Sequence, residues 1–129
     1  MTDTQNTTAP ASLVPEIRPE VWADLEQRYR KLEDTVRRYN PSANFQQIRA
    51  AFEFAAKAHG AQMRKDGSPF ITHPLAVAQI VAEELHLDSE SIEAALLHDT
   101  IEDTSATHED ISRLFSPTVA DLVEGISKL

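Results

Sequence analysis

Residues 94–104, Ala94-Ala95-Leu96-Leu97-His98-Asp99-Thr100-Ile101-Glu102-Asp103-Thr104, run from four apolar side chains directly into one histidine and three carboxylates. Asp88 and Ser89 lie just upstream, and either is able to cap a helix that carries Ile92, Ala95 and Leu96 inward. Acidic groups are thus brought right up to a core-facing element. If the helix continues through the polar segment, His98 and Glu102 share one face and Asp99 and Asp103 the next, because residues four apart stand above one another. His98 and Asp99 then diverge by about 100°, yet both reach an ion lying beside the helix between them. Four ionisable groups bordering an apolar run are costly to hold together without a compensating cation.

The chain contains no cysteine, which excludes a disulfide framework, a thiolate nucleophile and a zinc-thiolate site. Any metal must be held by His, Asp or Glu, donors that suit Mn, Fe or Zn. His73, between a loop and Pro74, is the further donor the cluster calls for. A divalent ion held there lowers the pKa of water and polarises a phosphoryl oxygen, two effects that together make a phosphohydrolase. A chance His-Asp pair on a solvated helix end remains the alternative at this point. His59, His86 and His108 have no comparable acidic company and are expected to be ordinary surface or packing histidines.

Working outward, the periodicity predicts helices and nothing else. Trp22, Leu25, Tyr29, Leu32, Val36 and Tyr39 recur at steps of three and four, so one helix over residues 19–40 presents them on a single face until Pro41. That face packs on the rest of the domain or pairs two copies as a short coiled coil, with packing the favoured expectation. A second helix is expected from Phe45 to His59, with Phe45, Ile48, Phe52 and Ala55 inward and Gly60 as its stop. A third opens at Pro74 and continues through Leu75, Ala78, Val81 and Leu85. Thr107 with Asp110, and Ser116-Pro117, signal two more starts, before Ile111, Leu114 and Phe115 and before Val119, Leu122, Val123 and Ile126. No alternating strand pattern or repeat is present, so the fold class is all-α.

The 129 residues suit one small domain, and 41% hydrophobic content supplies a core. Residues 1–18 are polar and rich in Thr and Pro and are expected to form a disordered tail. They show no secretory signal pattern, and no stretch is long and apolar enough to cross a membrane, so a cytoplasmic location is expected. A net charge of −9 argues against direct nucleic-acid binding, which needs a basic footprint, while leaving room for a local basic site. Such a site is offered by the loop from Ala61 to Thr72, where Arg64 and Lys65 precede Asp66-Gly67-Ser68-Pro69. Paired loop cations are often solvent decoration, but beside a phosphate-hydrolysing centre they hold an anionic substrate, and an Arg plane stacks on a nucleobase.

Taken in order, Ala58-His59-Gly60 with Gln62, Arg64-Lys65-x-Gly67-x-Pro69, His73-Pro74, Ala95-Leu96-Leu97-His98-Asp99, Glu102-Asp103-Thr104 and Val123-Glu124-Gly125-Ile126-Ser127-Lys128-Leu129 resemble the HD-type hydrolase domain of the RelA/SpoT family. The resemblance runs from about Phe45 to the last residue. It implies an HD-domain helical bundle over residues 44–129 that uses Mn²⁺ to remove the 3′-diphosphate from the small nucleotide (p)ppGpp, releasing pyrophosphate, in the stringent response. On the matching positions, His73, His98 and Asp99 are the implied metal ligands, and Glu102 and Asp103 orient or activate the attacking water. Arg64 is implied at the guanine and Lys65 at the phosphates. Asp66 stands where the family often has a small hydroxyl residue and Phe70 where Tyr is frequent, departures that bear on nucleotide recognition. The family's further aspartate ligand, in a segment downstream, has no counterpart before Leu129, so the HD bundle is expected to be incomplete at the C-terminus, to expose apolar surface, and to hydrolyse weakly or not at all as this chain. Two competing expectations are an HD phosphohydrolase of another nucleotide, and a non-catalytic HD remnant that pairs through the 19–40 helix.

Overall fold

The computed structural model describes residues 11–127, the side chain of Ser127 excepted. Its elements follow in chain order as α1 (Pro19–Tyr39), α2 (Phe45–His59), α3 (Thr72–Ile80) with a π-helical continuation over Val81–Leu85, α4 (Ser89–Leu97), α5 (Thr100–Asp103), α6 (His108–Leu114) and α7 (Pro117–Ser127). Among the described residues the sole extended pairing is an isolated antiparallel bridge between Met63 and Pro69, and the all-α expectation holds.

The arrangement is built around α4. Ile92 through Leu97 are all buried, and the helix packs against α2, α3 and α7. From Ile92 to Leu97 every position of α4 is buried, which is why the segment AALL becomes the centre. Asp88 caps it by accepting from the Ser91 amide, and Thr107 and Asp110 form the expected capping box on α6. Ser116 Oγ accepts from the Val119 amide at the start of α7.

α1 lays Trp22, Leu25, Tyr29, Leu32 and Val36 into the same core. Trp22 and Tyr29 stack on Phe52 of α2 with ring centroids 5.6 and 4.8 Å apart. Between the two helices Arg49 grips Glu26 through two 2.7 Å contacts and reaches Glu53 through its Nε, a forked geometry that fixes their relative position. The stripe is thus occupied within the chain, in line with the packing expectation.

Two expectations are corrected. Val14 and Ile17 are buried in the core, so residues 11–18 belong to the packed body and only the 1–10 part of the expected tail lies outside the described residues. α3 begins at Thr72, two residues before Pro74, which puts His73 in its first turn. The helix does run on to Leu85, through a π-helical turn where Leu85 is 61% exposed, before His86 closes it in the left-handed region at φ 50°. No helix among the described residues is long and apolar enough to cross a membrane.

Candidate metal centre

The site begins where α4 ends. α4 stops at Leu97, and His98 and Asp99 form a turn before α5, so the continuous helix considered from the sequence is replaced by a break. Thr100, fully buried, causes it locally: its Oγ1 donates to the Leu97 carbonyl at 2.7 Å, satisfying a helix-end acceptor that has no backbone partner. The break turns His98 and Asp99 toward α3 together.

His98 Nδ1 lies 2.6 Å from the carbonyl oxygen of Ala95. A carbonyl only accepts, so Nδ1 carries the proton and, in the neutral ring, Nε2 presents a lone pair. That Nε2 is 3.1 Å from Asp99 Oδ2, and His73 Nε2 approaches the same oxygen at 3.3 Å. The imidazoles of His73 and His98 meet edge to face with centroids 5.3 Å apart. Burial pushes the His73 imidazole below its usual pKa, opposed by the Asp99 charge, so its neutral form prevails at pH 7. Asp99 Oδ2 is buried and has no hydrogen-bond partner.

One donor atom from each of these three residues lies within 4.8 Å of the others, so electron-rich atoms converge from two helices with nothing between them. An orphaned buried carboxylate oxygen facing imidazole nitrogens is the donor set a divalent ion satisfies, and His73, His98 and Asp99 fit the metal that the resemblance implies.

Beside the donors opens a cleft of about 550 Å³ lined by Arg64, Lys65, Asp66, Phe70, His73 and Asp99, with Met63 at its edge. The cations reach it because the 62–70 segment is a closed loop: Arg64 N donates to Ser68 O, Gly67 N to Arg64 O, and Phe70 N to Gln62 O. Gly67 takes φ 88°, a conformation that only glycine adopts freely. Asp66 Oδ1 accepts from both the amide and the hydroxyl of Ser68, which holds its carboxyl below the usual range and ties up the departure noted from the family pattern.

The HD domain family model matches residues 51–129. This chain belongs to the HD domain family. This chain is 48% identical over 101 residues to the bifunctional (p)ppGpp synthase/hydrolase SpoT of Escherichia coli (strain K12), and 46% identical over 102 residues to the GTP pyrophosphokinase rsh of Brucella abortus (strain 2308). The alignments take in 78% and 79% of the chain but 14% of each relative's length. A solved structure described as a metazoan ortholog of SpoT that hydrolyzes ppGpp and plays a role in starvation responses superposes with a TM-score of 0.60 at 34% identity, over 63% of this chain and 47% of its own. The chain is therefore homologous to the RelA/SpoT proteins, as its motifs imply.

The HD domain brings five of the seven sequence-predicted site residues together: His73, His98 and Asp99 at the donor cluster, Arg64 and Lys65 in the adjoining cleft. Glu102 and Asp103 are exposed on α5 and are not among the residues lining that cleft, although the Asp103 charge is felt at His73. His59 is the residue the sequence reading underrated. It is 3% exposed, stacks on Phe70 at 4.6 Å, and lies within electrostatic reach of Asp99 and Asp103. Its position inside the Ala58-His59-Gly60 and Gln62 match was the available signal.

A second, apolar groove of about 320 Å³ lies on the other side of His98, between Val77, Val81, Leu87, Leu122 and Ile126. Leu122 and Ile126 of α7 are 38% and 37% exposed there.

Proposed function

We propose that this HD domain performs metal-dependent hydrolysis of a guanosine bis-diphosphate, removing the 3′-diphosphate of (p)ppGpp as pyrophosphate, with Mn²⁺ as the metal. The observation that carries this reading is the orphaned Asp99 Oδ2 facing two imidazole nitrogens at the wall of a cleft that also holds Arg64 and Lys65. When bound, the ion supplies an acidified water and a Lewis-acid contact for a phosphoryl oxygen. His73, His98 and Asp99 hold it, with Ala95 fixing the His98 tautomer.

Arg64 offers a planar cation to the guanine base and Lys65 a point charge to the phosphates, and the 62–70 loop presents both to the cleft. Glu102 and Asp103, one turn beyond the donors on α5, take and return the proton of the attacking water. Names of the relatives support this substrate, and the chain spans 14% of their length. A small nucleotide as substrate, with no nucleic acid as partner, suits a net charge of −9 and a cytoplasmic location.

The test is a calorimetric Mn²⁺ titration of the chain followed by a pyrophosphate-release assay with ppGpp, beside a His98→Ala and Asp99→Ala double variant. About one equivalent of bound Mn²⁺ and weak metal-dependent release, both lost in the variant, are the expected results. Equal metal binding in both proteins would overturn the assignment of the centre, and pyrophosphate release without added metal would overturn the reaction.

A further inference from the structure

Gln62 Nε2 donates to the backbone carbonyl of Asp103 at 2.7 Å, and Gln62 Oε1 lies 3.1 Å from His59 Nδ1. The first contact decides the second. A carbonyl accepts only, so the amide group of Gln62 must face Asp103, and its oxygen must face His59. An amide oxygen also accepts only, so the His59 proton sits on Nδ1 and Nε2 is left as a lone pair. That Nε2 is buried and without a partner, and burial holds the His59 imidazole below its usual pKa, which keeps this tautomer neutral.

We propose that His59 and Gln62 form a positioning relay for the water-handling carboxylates, anchoring α5 to the end of α2. This rests on the reading that Glu102 and Asp103 serve the metal centre. α5 is four residues long and cannot hold its own place: it has no side-chain cap, and Thr100 alone is buried in it. Within it, Asp103 N donates to Asp99 O and Thr104 N to Thr100 O, one turn that is marginal in water. Gln62 supplies the tether across 41 positions of sequence. His59, wedged against Phe70 and fixed in α2, orients the Gln62 amide so that its NH₂ points outward to Asp103. A relay built this way sets the height of α5 over Asp99 without touching substrate or metal.

The test is amide exchange by NMR on the full chain, metal-free, at Asp103 and Thr104. Gln62→Ala is expected to speed both by about tenfold, the value of one net hydrogen bond, with the Phe52 amide in α2 unchanged. Gln62→Glu keeps the acceptor for His59, loses the donor to Asp103, and behaves alike. His59→Asn places an amide nitrogen where Nδ1 stands and retains slow exchange, whereas His59→Gln, which places it where Nε2 stands, does not. Unchanged α5 exchange in Gln62→Ala, or acceleration spread over the whole chain, would overturn the relay. In the ppGpp assay Gln62→Ala lowers kcat with KM and Mn²⁺ affinity retained, and a raised KM alone would count against it. Because exchange is read without nucleotide or metal, failure of the hydrolytic reading leaves that measurement decisive for the relay by itself.

Discussion

His98 holds Nε2 3.1 Å from Asp99 Oδ2 while its Nδ1 is engaged by the Ala95 carbonyl 2.6 Å away. With the proton committed to Nδ1, the facing pair is a lone pair against a carboxylate, and His73 adds a second nitrogen 3.3 Å from the same oxygen. The metal-free chain therefore carries an electrostatic penalty at this point that a cation removes.

Asp99→Asn should separate stability from metal binding. The neutral amide fills the same volume and can donate to an imidazole nitrogen, so the metal-free variant is expected to gain roughly 1 kcal/mol. Its Mn²⁺ binding should be lost. Thermal melts with and without Mn²⁺ check both: the unmodified chain rises in Tm with metal, and the variant starts higher and does not respond. A variant that melts lower than the parent without metal would show that Asp99 is already satisfied.

Glu93 makes the fold sensitive to pH. It is 4% exposed on α4, and burial, with Glu90 and Asp88 adding like charge, pushes its carboxyl up to about 7 from 4.5. A folded-state value above the unfolded one means that the folded chain keeps a proton the unfolded chain has released. The stability from Glu93 is fully present below pH 4.5 and is lost as pH rises through about 7. Urea melts of the parent and of Glu93→Gln should diverge over that window, with the variant more stable at pH 8 by roughly 1–2 kcal/mol. Parallel curves would mean that the carboxylate stays ionised in the folded state.

Arg64→Lys tests whether the cleft wants a plane or only a charge. Both residues carry the same charge, but an ammonium cannot stack on a purine. A fluorescent guanosine nucleotide should bind about tenfold more weakly to the variant, and added salt should weaken both proteins alike. Equal affinity would assign Arg64 to phosphate charge alone.

The legible part of this protein was its local grammar. The step of three and four from Trp22 to Tyr39 marked α1, and Asp88, Thr107 and Ser116 marked three helix starts with side chains that do cap them. His73, His98 and Asp99 stood out because ionisable groups next to an apolar run need a reason. Illegible were the break after Leu97, which depends on Thr100 being buried, and the burial of His59, which depends on Phe70 folding back over it. The Glu102 and Asp103 roles were carried by the motif and are left by the fold on an exposed turn.

By itself the sequence determined the fold class, the helix starts at Asp88, Thr107 and Ser116, and the donor types, because periodicity, capping chemistry and the lack of cysteine act over a few residues or over composition. Only the tertiary structure decided that α1 spends its apolar face on its own chain, that His73 meets His98 across two helices, and that Gln62 ties α5 to α2. Those are contacts between residues 23 or more positions apart, set by how helices pack around α4, and no local pattern encodes a distance between elements.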